Sequence, residues 1–463
     1  MATIDHLARA AGTGGTECVS SSLDLFELPL VESAIERCYF QEYDPTVAIV
    51  DSANTVNFSI GPSEDVSDLN QSYFKVRVKI VKDGGGNLDA FRNAAPAAGD
   101  AAAVTANSVG FLQHPATSIF SNVSIRLSDE LLSDNFNTTN ILSYFQLLLN
   151  YGSEARNSLL ALGGWYDEDN PGETNAMGDI GVGDGWRKRA QLTQQSREAT
   201  FVSAFFNPIF SQAKYLPAMI GWTAEFLKAP ASFCLMSNDP NANYKYKITS
   251  MKVVVRRIKL KSSFKLELEK SLLQKPAVFP INQSYVKPLF IDANLKSATF
   301  QDLFQGRSLP SLVAIAFVRQ DNYRGRYAGS PFQWDHFSLT SIKISVDSES
   351  YSYSPNYTSV TQPDHVEPYL GLFHHQLKID HGSAISYDAF KNNGKCIYVF
   401  DMGSETSLTQ DHTTLKRMGA NCRLDITFDA SSSNPALTVL VMIEHNNERI
   451  LIDGSRRVLK DYY

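Results

Sequence analysis

The chain has 463 residues, a net charge of −7, 43% hydrophobic residues and 20% charged residues. Its length suits roughly two or three ordinary domains, and its composition is too apolar and too weakly charged for a disordered polymer. The acidic balance disfavours a protein whose main task is coating nucleic acid, although it leaves room for a local basic face.

No stretch approaches the ~18 consecutive apolar residues of a spanning helix, so no membrane span is expected. The opening MATIDHLARAAGTGGTECVS has no apolar run behind a basic start and is not read as a secretory signal. Cys18, Cys38, Cys234, Cys396 and Cys422 are odd in number, scattered and without a CxxC pair. That suits reduced thiols in a cytosolic or nuclear compartment. The N-x-S/T triplets at Asn57, Asn70, Asn122, Asn137, Asn282 and Asn356 are then chance matches.

Along the chain the dominant pattern is alternation. In Tyr73–Lys82, Phe74, Val76, Val78 and Ile80 fall on one face and Lys75, Arg77 and Lys79 on the other, which predicts a half-buried strand. Val123–Leu127, Tyr244–Leu260, Leu339–Val346, Cys396–Phe400, Arg423–Phe428 and Leu437–Ile443 read the same way. Turn clusters separate them, among them Asp83-Gly84-Gly85-Gly86-Asn87 and Ser431-Ser432-Ser433-Asn434-Pro435. Helical spacing is confined to Thr139–Tyr151, His365–Leu377 and Phe264–Leu273. Many strands and few helices predict an all-β sandwich or barrel.

A faint internal repeat divides the chain. SIFSNVSIRLSDELL (Ser118–Leu132) is a strand running into an acidic turn, followed from Asn137 by the helix-like NTTNILSYFQLLLNYG. HFSLTSIKISVDSESY (His336–Tyr351) repeats this, followed from Pro363 by PDHVEPYLGLFHHQL. Both halves end on long alternating strands with basic residues, Lys245–Lys265 and Ala436–Lys460. Two similar β-domains in tandem are expected: residues 23–265 and 277–463, joined by a connector at 266–276 and preceded by an arm at 1–22 that orders only against something else. Two insertions decorate the first domain. Asn87–Ala106 is Ala-rich and reads as a mobile loop. Trp165–Trp186 carries Asp167, Glu168, Asp169, Glu173, Asp179 and Asp184 without a basic residue and reads as a long solvated loop.

Catalytic and metal signatures are thin, and no catalytic, cofactor or metal residues are assigned. His374-His375 with Asp380-His381 is the one histidine cluster, and its spacing matches no zinc motif. GxSxG, Walker A and HExxH are absent. Gly181-Val182-Gly183-Asp184-Gly185 follows no strand and reads as flexible loop. A glycosidase would need paired carboxylates in a cleft lined by sugar-stacking aromatics, but the acids crowd into turns, and Trp165, Trp186, Trp222 and Trp334 are dispersed. The remaining candidate is basic. Lys245, Lys247, Lys252, Arg256, Arg257, Lys259, Lys261 and Lys265 occur without an acid between them. Lys252, Arg256, Arg257, Lys259 and Lys261 mark a strand face suited to double-stranded DNA by counterion release, or to acids of a neighbouring subunit; a merely solvated strand face is the plainer reading.

Several segments in order resemble the double jelly-roll (hexon-like) major capsid proteins of Polinton/Maverick elements and their adintovirus relatives, including cellular copies of such elements. They are SLDLFELPLVESAIERCYFQEYDP near the start, SIFSNVSIRLSDELL with YFQLLLNYGSEARNSLL, FFNPIFSQAKYLPAMIGWTAEFLKAPASFCLM, LFQGRSLPSLVAIAFVRQDNYRGRYAGSPFQWDHFSLTSIKISVDSE, and the ending LVMIEHNNERILIDGSRRVLKDYY. The resemblance runs from about Leu23 to Tyr463; the arm and the two insertions depart from it. It implies two eight-stranded jelly rolls, each with a short flanking helix. It also implies homotrimers forming pseudo-hexagonal capsomers in an icosahedral shell around double-stranded DNA. Partners would be neighbouring capsomers, a penton protein and a minor capsid protein, in a virion assembled in the host cytoplasm or nucleus. No cofactor is implied. The competing readings are a glycan-binding attachment protein and a domesticated copy without a shell.

Overall fold

In the computed structural model of the chain, residues 33–462 are described, apart from 89–108, 134–136, 167, 169–183, 238–242, 305–308, 347–348, 356–364, 377–384, 403–421 and 430–432. The described residues form antiparallel sheets that repeat one design twice. In the first half the strands are β1 (Ile35–Tyr43), β2 (Thr55–Ile60), β3 (Val66–Lys82), β4 (Val109–Phe111), β5 (Phe120–Leu127), β6 (Glu130–Ser133), β7 (Ala199–Ala204), β8 (Trp222–Lys228), β9 (Leu235–Ser237) and β10 (Tyr244–Leu260). One sheet has the order β1-β10-β3-β7 and the other β2-β8-β5-β6, with β4-β9 a separate ribbon.

The second half contains β11 (Ala277–Ile291), β12 (Ser297–Gln301), β13 (Leu312–Arg319), β14 (Leu339–Val346), β15 (Glu349–Tyr353), β16 (Tyr398–Asp401), β17 (Cys422–Phe428), β18 (Leu437–Ile452) and β19 (Val458–Tyr462). Its sheets run β11-β18-β13-β16 and β12-β17-β14-β15, with β19 added to β18. If the β4-β9 ribbon and β19 are set aside, each half has eight strands. The first strand pairs with the last, the last with the third, and the second with the seventh. This is the jelly-roll order, present twice.

Four longer helices accompany the strands: α1 (Thr139–Asn150), α2 (Asp184–Thr193), α3 (Ser262–Gln274) and α4 (Val366–Gln376). Helices α1 and α4 follow β6 and β15, corresponding places in the two rolls. Helix α3 occupies most of the segment expected as a connector.

Side-chain chemistry explains the strands. Phe74, Val76, Val78 and Ile80 of β3 are buried while Arg77 is exposed, so the predicted alternation holds. β13 reads LVAIAFVR and is buried on both faces as far as Val318, because it lies between β18 and β16 beneath the facing sheet. Its apolar run has no alternation to find. The turn after β3 requires a left-handed residue, which Gly85 supplies at φ 81°, its N–H donating to Lys82 O at 2.8 Å.

The core of the first roll is aromatic. Phe226 lies 5.3 Å from Phe74 and 5.0 Å from Phe120, and Phe205 stacks on Phe210 at 4.3 Å. A second aromatic group seals the two rolls together. Tyr144 of α1 stacks on Phe332 at 4.2 Å and meets Trp334 edge-on at 4.9 Å, while Phe145 lies 4.3 Å from Trp334. Nearby, Tyr327 Oη donates to Tyr244 O at 2.9 Å, and Ser237 N–H donates to Tyr327 O at 2.8 Å. Gly325, at φ 92°, lets the chain approach so closely that a Cβ there would stand 2.9 Å from Phe233 N.

The cysteines described here are free thiols, Cys38 exposed and Cys234, Cys396 and Cys422 buried; burial pushes Cys396 and Cys422 up to about 12. His114 is fully buried, with Nδ1 2.9 Å from Thr117 Oγ1, and burial holds its pKa down to about 3. His336 is lowered too, by burial and then by the charge of Lys391.

Two predictions follow from this packing. Val76→Asp with Val78→Asp places two carboxylates on the core face of β3, and the first roll is expected to lose its fold; a soluble double variant with wild-type circular dichroism would refute the strand assignment. For the histidines, the unfolded chain takes up protons near ~6.5 while the folded imidazoles stay neutral. Their contribution is complete above about pH 6.5 and drains away as the pH falls toward the lowered folded values. The melting temperature should therefore fall between about pH 7 and pH 5; an unchanged or rising value would contradict the buried neutral imidazoles.

Candidate functional site: a paired basic strand and a sealed junction

The basic run lies on β10, which is hydrogen-bonded to β1 on one side and β3 on the other. Register shifts between Ile248 and Ser250 and between Val254 and Arg256 re-phase the strand, so neighbouring arginines take different environments. Lys252 Nζ donates to Glu42 at 2.9 Å and lies 3.7 Å from Asp44. Arg256 pairs with Asp68 at 2.8 Å. Arg257 is buried and donates to Ser67 Oγ and to Tyr43 Oη, the latter at 2.7 Å. Lys259 pairs with Glu36 at 2.9 Å. Lys261 is exposed at the start of α3, its backbone N–H donating to Ala34 O at 2.9 Å.

The remaining cations of the run are also paired: Lys245 with Asp83 at 2.6 Å, Lys247 with Asp51, and Lys265 with Glu64 at 3.5 Å. Glu42 sits between Lys75 and Lys252, and the hydrogen bonds those ammonium groups donate hold it down to about 2. Such exposed pairs are each worth little. Their collective effect is to set acids of the same chain against the cations of β10. Reading β10 alone misses these partners. The signal for them lies in β1, IERCYFQEY, whose Glu36 and Glu42 pair with cations of β10 across the sheet.

The second feature is the root of the acidic insertion. Trp165–Trp186, expected to be a solvated loop, is anchored in the interior at both ends. Trp165, Glu168 and Trp186 are buried, and α2 begins before Trp186. Arg189 of α2 donates Nε to Phe111 O at 2.8 Å and donates to Gln113 Oε1 and Glu168 Oε1, with both partners of the ion pair buried. Lys395 of the second roll donates to Glu168 O at 2.6 Å. The pairing of Glu168 with an arginine beyond the loop's end explains the departure: a buried carboxylate is tolerated only when matched.

The histidine cluster is divided: His374 and His375 lie on α4, whereas Asp380 and His381 lie outside the described residues, as do the arm and most of Asn87–Ala106. Among the described residues no group of three or more His, Cys, Asp or Glu could hold a metal ion. No helix there is long and apolar enough to cross a membrane. Trp165, Trp186, Trp222 and Trp334 are all fully buried, so they belong to cores and seams and offer no stacking surface to a sugar.

The buried ion pair makes a sharp prediction. Arg189→Met alone takes from Glu168 its buried counter-ion and should cost about 3–5 kcal/mol, whereas Arg189→Met with Glu168→Leu should cost far less. Urea unfolding of the two variants measures the difference; equal losses would show that the charges are not coupled.

Comparison with known proteins agrees with this architecture. No family model matches the chain. An uncharacterised protein of Caenorhabditis elegans is 21% identical over 295 residues, covering 62% of this chain and 67% of that protein. Among solved structures, PBCV-1 VP54, fitted into a cryo-EM reconstruction of the virophage Sputnik, superimposes with a TM-score of 0.56 at 12% identity, covering 95% of this chain and 99% of that one. The mavirus major capsid protein does so with a TM-score of 0.56 at 10% identity, covering 97% and 96%. At these identities the likeness is one of fold: this chain has the double jelly-roll fold of those capsid proteins.

Proposed function

We propose that the chain is a structural protein of a virus shell: a double jelly-roll major capsid protein, of the Polinton/Maverick–adintovirus type, that acts by assembly rather than catalysis. The observation that carries this reading is the repetition of one complete jelly roll in a single chain, with the two copies fused by the Tyr144–Phe332–Trp334 seam. Two equivalent sandwiches in a rigid block give each chain two similar outer walls. Three such chains then approximate a hexagon, a shape that tiles a closed surface. The solved structures of like fold are capsid proteins along nearly their whole length, which supports the same role here.

The partners in this reading are identical chains, neighbouring capsomers, and penton and minor capsid proteins, and the place of work is the virion. We assign the β10 cations mainly to pairing with acids of their own chain, Lys252 and Lys259 with those of β1. With Lys252, Arg256 and Lys259 matched by acids of their own chain, their contact with packaged double-stranded DNA is non-specific and easily screened. A second reading, a copy kept in a cellular genome without a shell, draws on the nematode relative.

Light scattering on the purified chain separates these readings. A mass of three times 51.3 kDa, with hexagonal outlines in negative stain, is expected for the capsid protein; a monomer at high concentration would overturn the assembly reading. Deleting Met1–Ser22 should leave folded trimers that tile poorly, and normal shells from the truncated chain would remove the arm from assembly.

A further inference from the structure

At the end of the first roll where β3 stops and β10 starts lies an open groove of about 1080 Å³, bounded on its far side by Tyr323 and Arg324 of the second roll. Its lining combines an apolar floor, including Leu227, Ile141 and Phe233, with amide side chains from Asn54, Asn137 and Asn140. Its charges fall into two groups. Lys245 and Lys247 are satisfied by Asp83 and Asp51, which also line the groove. Lys228 and Arg324, contributed by different rolls, have no ion-pair partner among the described residues, in contrast to the cations of β10. Lys228 is also partly buried, and loss of hydration lowers its pKa despite the charge of Asp51. The groove thus holds two cations outside any ion pair among the described residues, one of them partly desolvated, beside the amides of Asn54 and Asn137.

We propose that this groove binds an acidic peptide segment, and that the segment is residues 169–183 of a neighbouring copy of the chain. Three features favour a peptide over a lone anion: the groove's volume far exceeds that of a small ion, part of its lining is apolar, and its amides suit main-chain groups. Charge complementarity favours this segment. It reads DNPGETNAMGDIGVG, carries Asp169, Glu173 and Asp179, and has no basic residue. The described residues that flank it, Glu168 and Arg189 of α2, form a buried ion pair. The acids of the groove itself are already committed to Lys245 and Lys247, leaving Lys228 and Arg324 to an incoming carboxylate. The choice of a second copy rests on the assembly reading; the groove's preference for acidic peptide does not.

The test titrates the full-length protein with a labelled synthetic peptide of residues 169–183 and reads fluorescence anisotropy. Saturable one-to-one binding is expected, weakened at least about tenfold by Lys228→Glu with Arg324→Glu and by raised salt. A peptide with Asp169→Asn, Glu173→Gln and Asp179→Asn, used on the unaltered protein, repeats the test without depending on the folding of a variant. Failure of the acidic peptide to bind, or equal binding of the neutral one, would overturn the proposal. Light scattering of the same samples keeps the two readings apart. An unaltered chain that binds peptide but stays monomeric would eliminate the neighbouring copy as its source. An assembling chain whose mass is unaffected by Lys228→Glu with Arg324→Glu would eliminate the groove from assembly.

Discussion

The stacking of Tyr144 and Phe145 against Phe332 and Trp334 is the contact on which the architecture depends. Each jelly roll could close its own core, but two sandwiches joined by α3 alone would be free to pivot. Flat aromatic rings from α1, buried against a segment of the second roll, remove that freedom, and every ångström of misfit would cost dispersion and burial energy at once. Hydrogen bonds around Tyr327 and the close approach at Gly325 lock the same boundary. If the chain tiles a shell as proposed, this rigidity matters, because errors in the angle between its two halves would accumulate around a closed surface.

Electrostatics does complementary work within the first roll. β1 lies at the edge of its sheet and is largely exposed, so it has little burial to hold it. The backbone ladder to β10 holds it, Glu36 and Glu42 add weak pairs to Lys259 and Lys252, and Tyr43 receives a hydrogen bond from the buried Arg257. The run of basic residues that draws attention in the sequence is thereby one half of an internal match.

Much of the fold was legible because half-buried strands write themselves as alternation. β10 and β14 have the boundaries their patterns predict, and α1, α3 and α4 agree with theirs to within two residues at each end. β13 escaped the alternation rule because a strand buried on both faces has none, and β1 escaped because an edge strand exposed on both faces has little. The tandem arrangement was visible as a repeated strand, acidic turn and helix. The candidate site was far less legible. Charge along β10 could be counted, but its partners Glu36, Glu42 and Asp68 lie about two hundred residues away in sequence and meet it only through the sheet. Glu168 looked like one solvated acid among several, since nothing local announces that Arg189 folds back to meet it. Lys228 and Arg324 belong to different rolls and share a groove only after both have folded.

The first-to-last pairing of each roll also dictates a timetable for synthesis. Glu42 and Lys252 are separated by 210 positions, and Ser284 and Glu444 by 160. At ribosomal speeds of roughly 5–20 residues per second, β1 waits on the order of 10–40 s for the strand that completes its sheet. Even then the first roll emerges before Phe332 and Trp334, so Tyr144 and Phe145 lack that part of their cover, Tyr144 having only Trp165 of its own roll stacked beside it. Nascent chains on neighbouring ribosomes of one message would therefore display the same adhesive aromatic surface at the same stage. That surface stays incompletely covered until translation passes the second roll's matching segment, and a chain terminated between the rolls would lack Phe332 and Trp334 altogether.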